Sequence, residues 1–339
     1  MKRNLILAVL TFCSIIACGG RKAQTTDNSS APANPKEKSG MLNKSYWYDG
    51  NCLFFAERKG DNIVFTGEVP QGDTYSFTLK PTDKKHFTLV SDGGTTFLRD
   101  TWGLTDAKGA KFELKIVTGV QGASGEEVAD TVLIVRDKGG KLVNVLGKSH
   151  ANLRKVYEEQ VLMQMEGWFS FSGEGACAAI SGSAILICGE DELKPFRLGT
   201  DDDIALNLLR TEDGKAFFYY IETHGVNLYE AYFSKENNRW EQGNISMELM
   251  RQVTDLDDGC WSFTATRPLN RALLSDYDRQ ARQLMKNEIL ARHGCRFDDP
   301  EMNHRFESYG WSQIYDRSEI HLTEIEQLNM EMLESMERN

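Results

Sequence analysis

Near the C-terminal end of the chain the residues Asn287, Glu288, Arg292 and His293 fall within the stretch KNEILARHGCRF, Lys286 to Phe297. An acid, a guanidinium and an imidazole at this spacing raise the question of a catalytic or metal-binding site. Their helical spacing supplies structural reasons of equal force. Glu288 and Arg292 are four apart on a helix, in the favourable order for an ion pair worth ~0.3–0.5 kcal/mol. Arg292 and His293 occupy a last turn, where cations meet the negative end of the helix dipole. A ring donor at His293 can also satisfy an end carbonyl, with Gly294 stopping the helix. These jobs account for the residue types, so the expected role of the stretch is structural.

Other groupings carry less chemistry. His293, Cys295, His304 and His321 lack any standard ligand spacing, and no metal or cofactor is expected. Asp255, Asp257, Asp258 and Gly259 resemble part of a calcium loop, but one residue too short and without the distal Glu. Asp201, Asp202 and Asp203 read as a loop or a helix start. Nucleophile-elbow, zincin, Walker and dinucleotide fingerprints are missing. A pair of carboxylates ~5–10 Å apart, as glycosidases use, leaves no short signature. A hydrolase acting on cell-wall or polysaccharide material in a β-domain cleft is therefore the alternative reading. An aromatic face built on Trp47, Trp102 or Trp168 would instead favour partner binding.

The chain has seven cysteines. Cys177 and Cys188 are symmetric about Gly182-Ser183, a plausible two-residue hairpin turn. Directly opposed strand residues have Cα atoms ~4.5–5.5 Å apart, within disulfide range, so this pair is the expected disulfide. Two buried thiols packing as small hydrophobes is the competing reading. Cys52, Cys260 and Cys295 have no evident pairing.

The elements that would position these groups are mostly strands. From Tyr46 to about Ala265 apolar and polar residues alternate in short runs separated by Gly and Asp. Tyr75 to Leu79, His86 to Val90 and Phe112 to Ile116 are examples. Thr131 to Val135 and Lys141 to Leu146 flank Asp137-Lys138-Gly139-Gly140, and Ala216 to Glu222 and Asn227 to Phe233 flank His224-Gly225. Tyr46-Trp47 through Glu68 lies over Trp168-Phe169 through Glu190 without gaps. Phe77-Thr78-Leu79 then matches Phe196-Arg197-Leu198, Asp92-Gly93 matches Asp213-Gly214, and Phe97 matches Phe218. The repeat predicts two tandem β units, 41–150 and 151–265, the second opening with a linker helix over Asn152 to Met165. After Pro268 the period becomes helical. Ala281, Leu284, Met285 and Ile289 form one stripe. Asp299-Pro300 starts a second helix with Met302, Phe306 and Tyr309 on one side. Thr323 and Glu326 make a capping box for a third, with Ile325, Leu328, Met332, Leu333 and Met336 on one face. The expected fold is α+β and mainly β: two antiparallel barrel- or sandwich-like units, then a three-helix module at 268–339.

The N-terminal end bounds the compartment. Lys2 and Arg3 precede an apolar stretch, Leu5 to Ile16, shorter than the ~20 residues that span a bilayer. Ile15-Ile16-Ala17-Cys18 is similar to a bacterial lipobox, with Cys18 as the lipidated residue and 1–17 as signal peptide. Residues 18–40 then contain no large apolar side chain and read as a flexible tether with a mean reach of ~25 Å. Removing Lys2 and Arg3 takes the formal charge from −11 to −13. An acidic body argues against nucleic acid as a partner, since that binding needs a basic footprint. The lipid anchor is the expected membrane contact, the outer membrane the expected surface, and an envelope protein or glycan the candidate partner.

Asn287-Glu288-Ile289-Leu290-Ala291-Arg292-His293-Gly294 with Phe297, then Trp311, then Glu324-Ile325-Glu326 with Asn329, resembles the bacterial YARHG domain. Leu290 stands where that family has its eponymous Tyr. The resemblance covers roughly residues 270–335. It implies a helical segment and an extracytoplasmic compartment, and it implies no reaction. The leading reading is a non-enzymatic envelope lipoprotein.

Overall fold

Alternating apolar residues need a closed surface to bury one face, and here they close twice. The computed structural model describes residues 42–69, 72–92, 95–104, 107–121, 125–165, 167–171, 177–181, 183–186, 192–199, 207–222, 225–252 and 259–337. The first barrel contains β1 (Ser45–Tyr48), β2 (Leu53–Lys59), β3 (Asn62–Glu68), β4 (Thr74–Pro81), β5 (His86–Asp92), β6 (Lys111–Gln121), β7 (Glu126–Arg136) and β8 (Leu142–Ser149). Each strand pairs antiparallel with the next, and β8 returns to β1 with Tyr46 opposite Ser149. Eight strands leave an interior that side chains can fill. Phe65 stacks on Phe77 at 4.5 Å, and Phe77 lies 5.7 Å from Phe112. A helix between the fifth and sixth strands, α1 (Thr95–Trp102), adds Leu98 and Trp102 to this core. The Nε1 of Trp102 donates to the buried Asp49 at 2.5 Å, which also accepts from the Cys52 amide at 2.7 Å.

The second unit repeats the plan. It contains β9 (Gly167–Phe171), β10 (Cys177–Ser181), β11 (Ala184–Leu186), β12 (Lys194–Leu198), β13 (Leu208–Thr211), β14 (Ala216–Glu222), β15 (Gly225–Ser234) and β16 (Arg239–Gln252). It too is a closed antiparallel barrel, with β16 paired to β9. The internal repeat pairs Ile63-Val64 with Ile185-Leu186, on the third strands β3 and β11, and Phe77 to Leu79 with Phe196 to Leu198, on the fourth strands β4 and β12; residues 187–190 lie outside the described residues. The Phe97–Phe218 equivalence does not hold. Phe97 lies on α1 and Phe218 on β14, because the first barrel carries a helix between its fifth and sixth strands.

The linker helix α2 (Leu153–Met165) serves both barrels. Val156 packs with Tyr48 and Leu53 of the first, while Val161 and Met165 enter the core of the second.

The C-terminal region is helical: α3 (Phe263–Thr266), α4 (Arg271–Ser275), α5 (Arg279–Arg292), α6 (Pro300–Glu307) and α7 (Glu324–Glu337), with a 3-10 turn at Arg317–Glu319. The three expected helices are α5, α6 and α7. The short α3 and α4 escape a periodicity reading because four and five residues hold scarcely one turn each. The caps follow the sequence. Asp278 accepts from the Ala281 amide at 2.7 Å, and Asp299 from that of Glu301 at 2.9 Å with Pro300 behind it. Thr323 and Glu326 cap reciprocally at 3.0 and 3.3 Å.

These helices lie on the outer wall of the first barrel. Val132, Leu133, Ile134 and Val135 of β7 are all buried, and so are Leu142 to Leu146 of β8. Leu133, Val135, Val143 and Leu146 belong to the barrel interior. Val117, Val132, Ile134, Leu142 and Val145 instead share one core with Leu273, Ala281, Met285, Ile325, Met332 and Leu333 of the helices. Burying five such side chains is worth on the order of 10 kcal/mol, as much as a domain's entire stability. Gly119 on β6 marks a close approach. A Cβ there would stand 2.4 Å from the Ala265 carbonyl and 2.9 Å from the Ile325 side chain. Polar contacts ring the apolar seam. Lys115 pairs with Glu324 at 2.9 Å, Arg136 Nη2 with Glu331 at 2.8 Å, and Asn144 Oδ1 accepts the Arg271 amide at 2.9 Å.

Candidate functional site

The last turn of α5 gathers the stretch singled out by residue type. Its apolar stripe, Ala281, Leu284, Met285 and Ile289, faces the shared core, which turns Glu288 and Arg292 toward α3 and His293 toward α7. Glu288 is 0% exposed. Its carboxylate accepts from the Cys260 amide at 2.9 Å and the Trp261 amide at 2.7 Å, the donors just before α3. Arg292 Nη2 approaches it at 3.3 Å. Burial dominates and holds the Glu288 carboxyl above the ordinary glutamate value, against the pull of Arg292 and the two amides. The expected i,i+4 pair is present and buried. The reason is tertiary: the chain before α3 folds across this face and brings its amides to the carboxylate.

Arg292 joins two acids. Its Nη1 lies 3.5 Å from Glu326, and its guanidinium stands 5.9 Å above the Trp311 ring. Trp311 itself stacks on Phe306 at 5.9 Å, with Tyr309 edge-on at 5.4 Å.

His293 is the C-cap of α5, but its ring does not satisfy an end carbonyl. Nε2 lies 2.8 and 2.9 Å from the two carboxylate oxygens of Glu326 and donates there. Glu326 is 1% exposed. It also accepts from the Thr323 amide and hydroxyl, both at 3.0 Å, so one side chain caps α7 and ties it to α5. Burial alone would raise the Glu326 carboxyl, yet His293, the Thr323 amide and Arg292 together bring it below the ordinary value. Gly294 follows at φ +79°, where its carbonyl accepts from the amides of Ile314 and Tyr315, both at 2.9 Å. Only a residue without Cβ takes that conformation freely. Asn287 is peripheral: its Oδ1 accepts from Gln283 at 3.0 Å on the open face of the helix. Leu290, in the place of the family tyrosine, is buried.

Asn329, the last residue of the motif, has a definite physical role. It is 0% exposed. Its Oδ1 accepts from the Leu269 amide at 2.7 Å, and its Nδ2 donates to the carbonyls of Thr264 and Arg267 at 2.7 and 2.8 Å. An amide flanked by apolar residues on an otherwise amphipathic stripe was the available signal for such a latch.

Chemically, the arrangement fastens helices to one another. Glu288 and Glu326 are shielded from solvent in these positions, and the His293 Nε2 is engaged with Glu326. Among the described residues no three His, Cys, Asp or Glu side chains converge as a metal site. Trp47 and Trp102 are 0% exposed inside the first barrel, which removes them as an aromatic docking face. The strands fold that way because every second residue must fill the barrel. Trp168 contributes backbone to β9 but its side chain lies outside the described residues, as do Cys18, Cys188, the side chain of Cys177, Asp201 to Asp203 and Asp255 to Asp258. The adjoining hairpin has Ser181 opposite Ala184 and Ile180 opposite Ile185, the register that the expected disulfide assumes.

Residues 260–338 match the family model of the YARHG domain. The chain therefore carries a YARHG domain, and its match opens at the segment whose amides Glu288 holds. The curated proteins and the solved structures contain no match. The domain points to an extracytoplasmic protein. No helix among the described residues is long and apolar enough to cross a membrane.

Proposed function

We propose that the protein is a lipid-anchored component of the bacterial envelope, a binding or assembly scaffold in which the YARHG residues act as a clamp. The observation that carries this reading is the fate of the motif's ionisable groups. Glu288, Arg292, His293 and Glu326 are spent on one another and on three helix ends. A catalytic group must meet a substrate, and these meet only the fold. The clamp sets the helices against the first barrel, and α2 ties that barrel to the second. The result is a stiff two-barrel body rather than three loosely linked modules. Anchoring at Cys18, with residues 19–40 as tether, would hold this body off the outer-membrane surface, facing an envelope protein or glycan.

Two experiments test the proposal. Cys18→Ala should move the protein from the membrane to the soluble fraction; a variant that still sediments after a carbonate wash contradicts the anchor. Crosslinking in the native envelope followed by pull-down of the full chain should recover a protein or glycan partner. Turnover of a polysaccharide by the purified chain would replace the scaffold reading with the hydrolase one.

A further inference from the structure

We propose that the outer wall of the second barrel binds an acidic polysaccharide, a partner class that deepens the scaffold reading and rests on it. Phe196, Leu198, Leu209, Phe217, Tyr219 and Leu228 help to fill this barrel, so the residues alternating with them face outward. Leu208, Ala216 and Phe218 form the floor of that wall, with Tyr229, Ala231 and Trp240 packed against them. Two aromatic rings stand out from it: Tyr220 is 39% exposed and Phe233 47%. Neighbours fix both. Tyr220 meets Tyr229 edge-on at 5.4 Å, and its hydroxyl donates to Oε1 of the exposed Gln242 at 2.7 Å. Phe233 is opposite Trp240 in the β15–β16 register, with the rings edge-on at 5.7 Å.

Two cations lie beside the rings. The Arg210 guanidinium of β13 stands 5.1 Å from the centre of the Trp240 ring. Arg197 of β12 is directly opposite Arg210 in the strand register, and it is exposed. Like charges opposed across a sheet repel, and an incoming anion relieves that repulsion. The chain is acidic overall, with a formal charge of −11, yet here it sets two guanidiniums side by side. Two flanking acids are engaged: Asp213 pairs with Lys194 at 3.2 Å, and Glu241 accepts from Tyr232 at 3.2 Å and from Asn237 at 2.5 Å. A pyranose ring presents an apolar C–H face and a hydroxyl edge. The exposed rings of Tyr220 and Phe233 suit the faces, and the amide of Gln242 suits the edges. The planar fork of an arginine fits a carboxylate, so the sugars are ones that carry carboxylates. Two separate rings offer far less apolar surface than the ~800 Å² per partner that a stable protein interface buries.

The test uses the full chain: wild type, Arg197→Gln, Phe233→Ala and Lys80→Gln, an exposed control on the first barrel. Calorimetric titration at one ionic strength compares three probes. Polygalacturonate is a carboxylate polysaccharide, dextran a neutral one, and polyglutamate has the charge without the sugar rings. Wild type and the control should bind polygalacturonate more tightly than either of the others. Arg197→Gln should bind it at least about tenfold more weakly, the loss expected for a charge-assisted hydrogen bond. Phe233→Ala should weaken it at least about fivefold through lost stacking. Both changes fall on exposed side chains, so thermal melting should match wild type. Polygalacturonate binding that is missing, or equal in wild type and both variants, overturns the site. Polyglutamate bound as tightly as polygalacturonate, and equally by Phe233→Ala, reduces the wall to a charge effect and also overturns it. In either case a protein partner crosslinked in the native envelope would leave the scaffold reading standing.

Discussion

His293→Ala strands the Glu326 carboxylate with one partner fewer in a buried setting, so the substitution should act on stability. The expected loss is about 1–3 kcal/mol, well outside the ±0.5 kcal/mol of an ordinary surface change. Denaturant unfolding with and without chelator checks this, and chelator should change nothing. A variant that melts like wild type but loses a binding or enzymatic readout would make His293 a site residue. The pH dependence has a definite sign. The Glu326 carboxyl is held below its ordinary value despite burial, chiefly by His293. Its contribution is complete above the unfolded value, ~4.3, and disappears as pH falls through the folded one. Glu326→Gln should therefore destabilise most at neutral pH, with the difference from wild type shrinking as melts are taken from pH 7 to pH 3. A difference that stays constant over this range removes the ionised carboxylate from the clamp. The residue types of this cluster were legible in the sequence. The partners were not. His293 and Glu326 are 33 residues apart, and Glu288 finds its amides 27 and 28 residues upstream. Spacing along one helix reports only neighbours on that helix. For the same reason the burial of the Glu288–Arg292 pair was not legible.

At the scale of elements, the contact between β6 and the helices depends on an absent side chain. Gly119→Val should force β6 away from Ala265 and Ile325, since its Cβ would meet the carbonyl at 2.4 Å. Overpacking of this kind costs about 1–3 kcal/mol, and here it should also loosen docking. Limited proteolysis would show it as faster cutting in α3 and α7 with the strands of the second barrel unchanged. Wild-type resistance throughout would mean that the helices do not rest on β6. The sequence marked the strands, caps and capping box well because each is set by local chemistry. It also contained an unread signal. Val132 to Val135, and Leu142 to Leu146 with Asn144 as their one polar residue, break the period-two alternation, and such apolar runs mark strands covered on both faces. Read that way, β7 and β8 announce that something packs outside the barrel. The helix α1 stayed hidden because its eight residues interrupt a β pattern without a long stripe of their own.

For the whole molecule, the boundary expected at 268 predicts a β body that survives loss of the helices, and the packing predicts otherwise. Deleting residues 260–339 uncovers Val117, Val132, Ile134, Leu142 and Val145 together. A burial term on the order of 10 kcal/mol exceeds what a marginally stable fold can lose. The truncated chain should bind a hydrophobic dye, aggregate, or melt without cooperativity. A monomeric, cooperatively melting truncation would restore an independent module. The change of period at Pro268 is a change of secondary structure, and periodicity carries no information on which surfaces later meet. Hydrogen exchange on the full chain tests the clamp most directly, comparing wild type with Glu288→Ala. Removing one partner of a buried pair costs about 3–5 kcal/mol. If the clamp joins helices and barrel into one unit, α5, α7 and β6 to β8 exchange through a shared opening in wild type. Glu288→Ala should then lower the protection of all five by the same amount. Protection lost in the helices alone, with β6 to β8 exchanging as in wild type, would contradict the clamp.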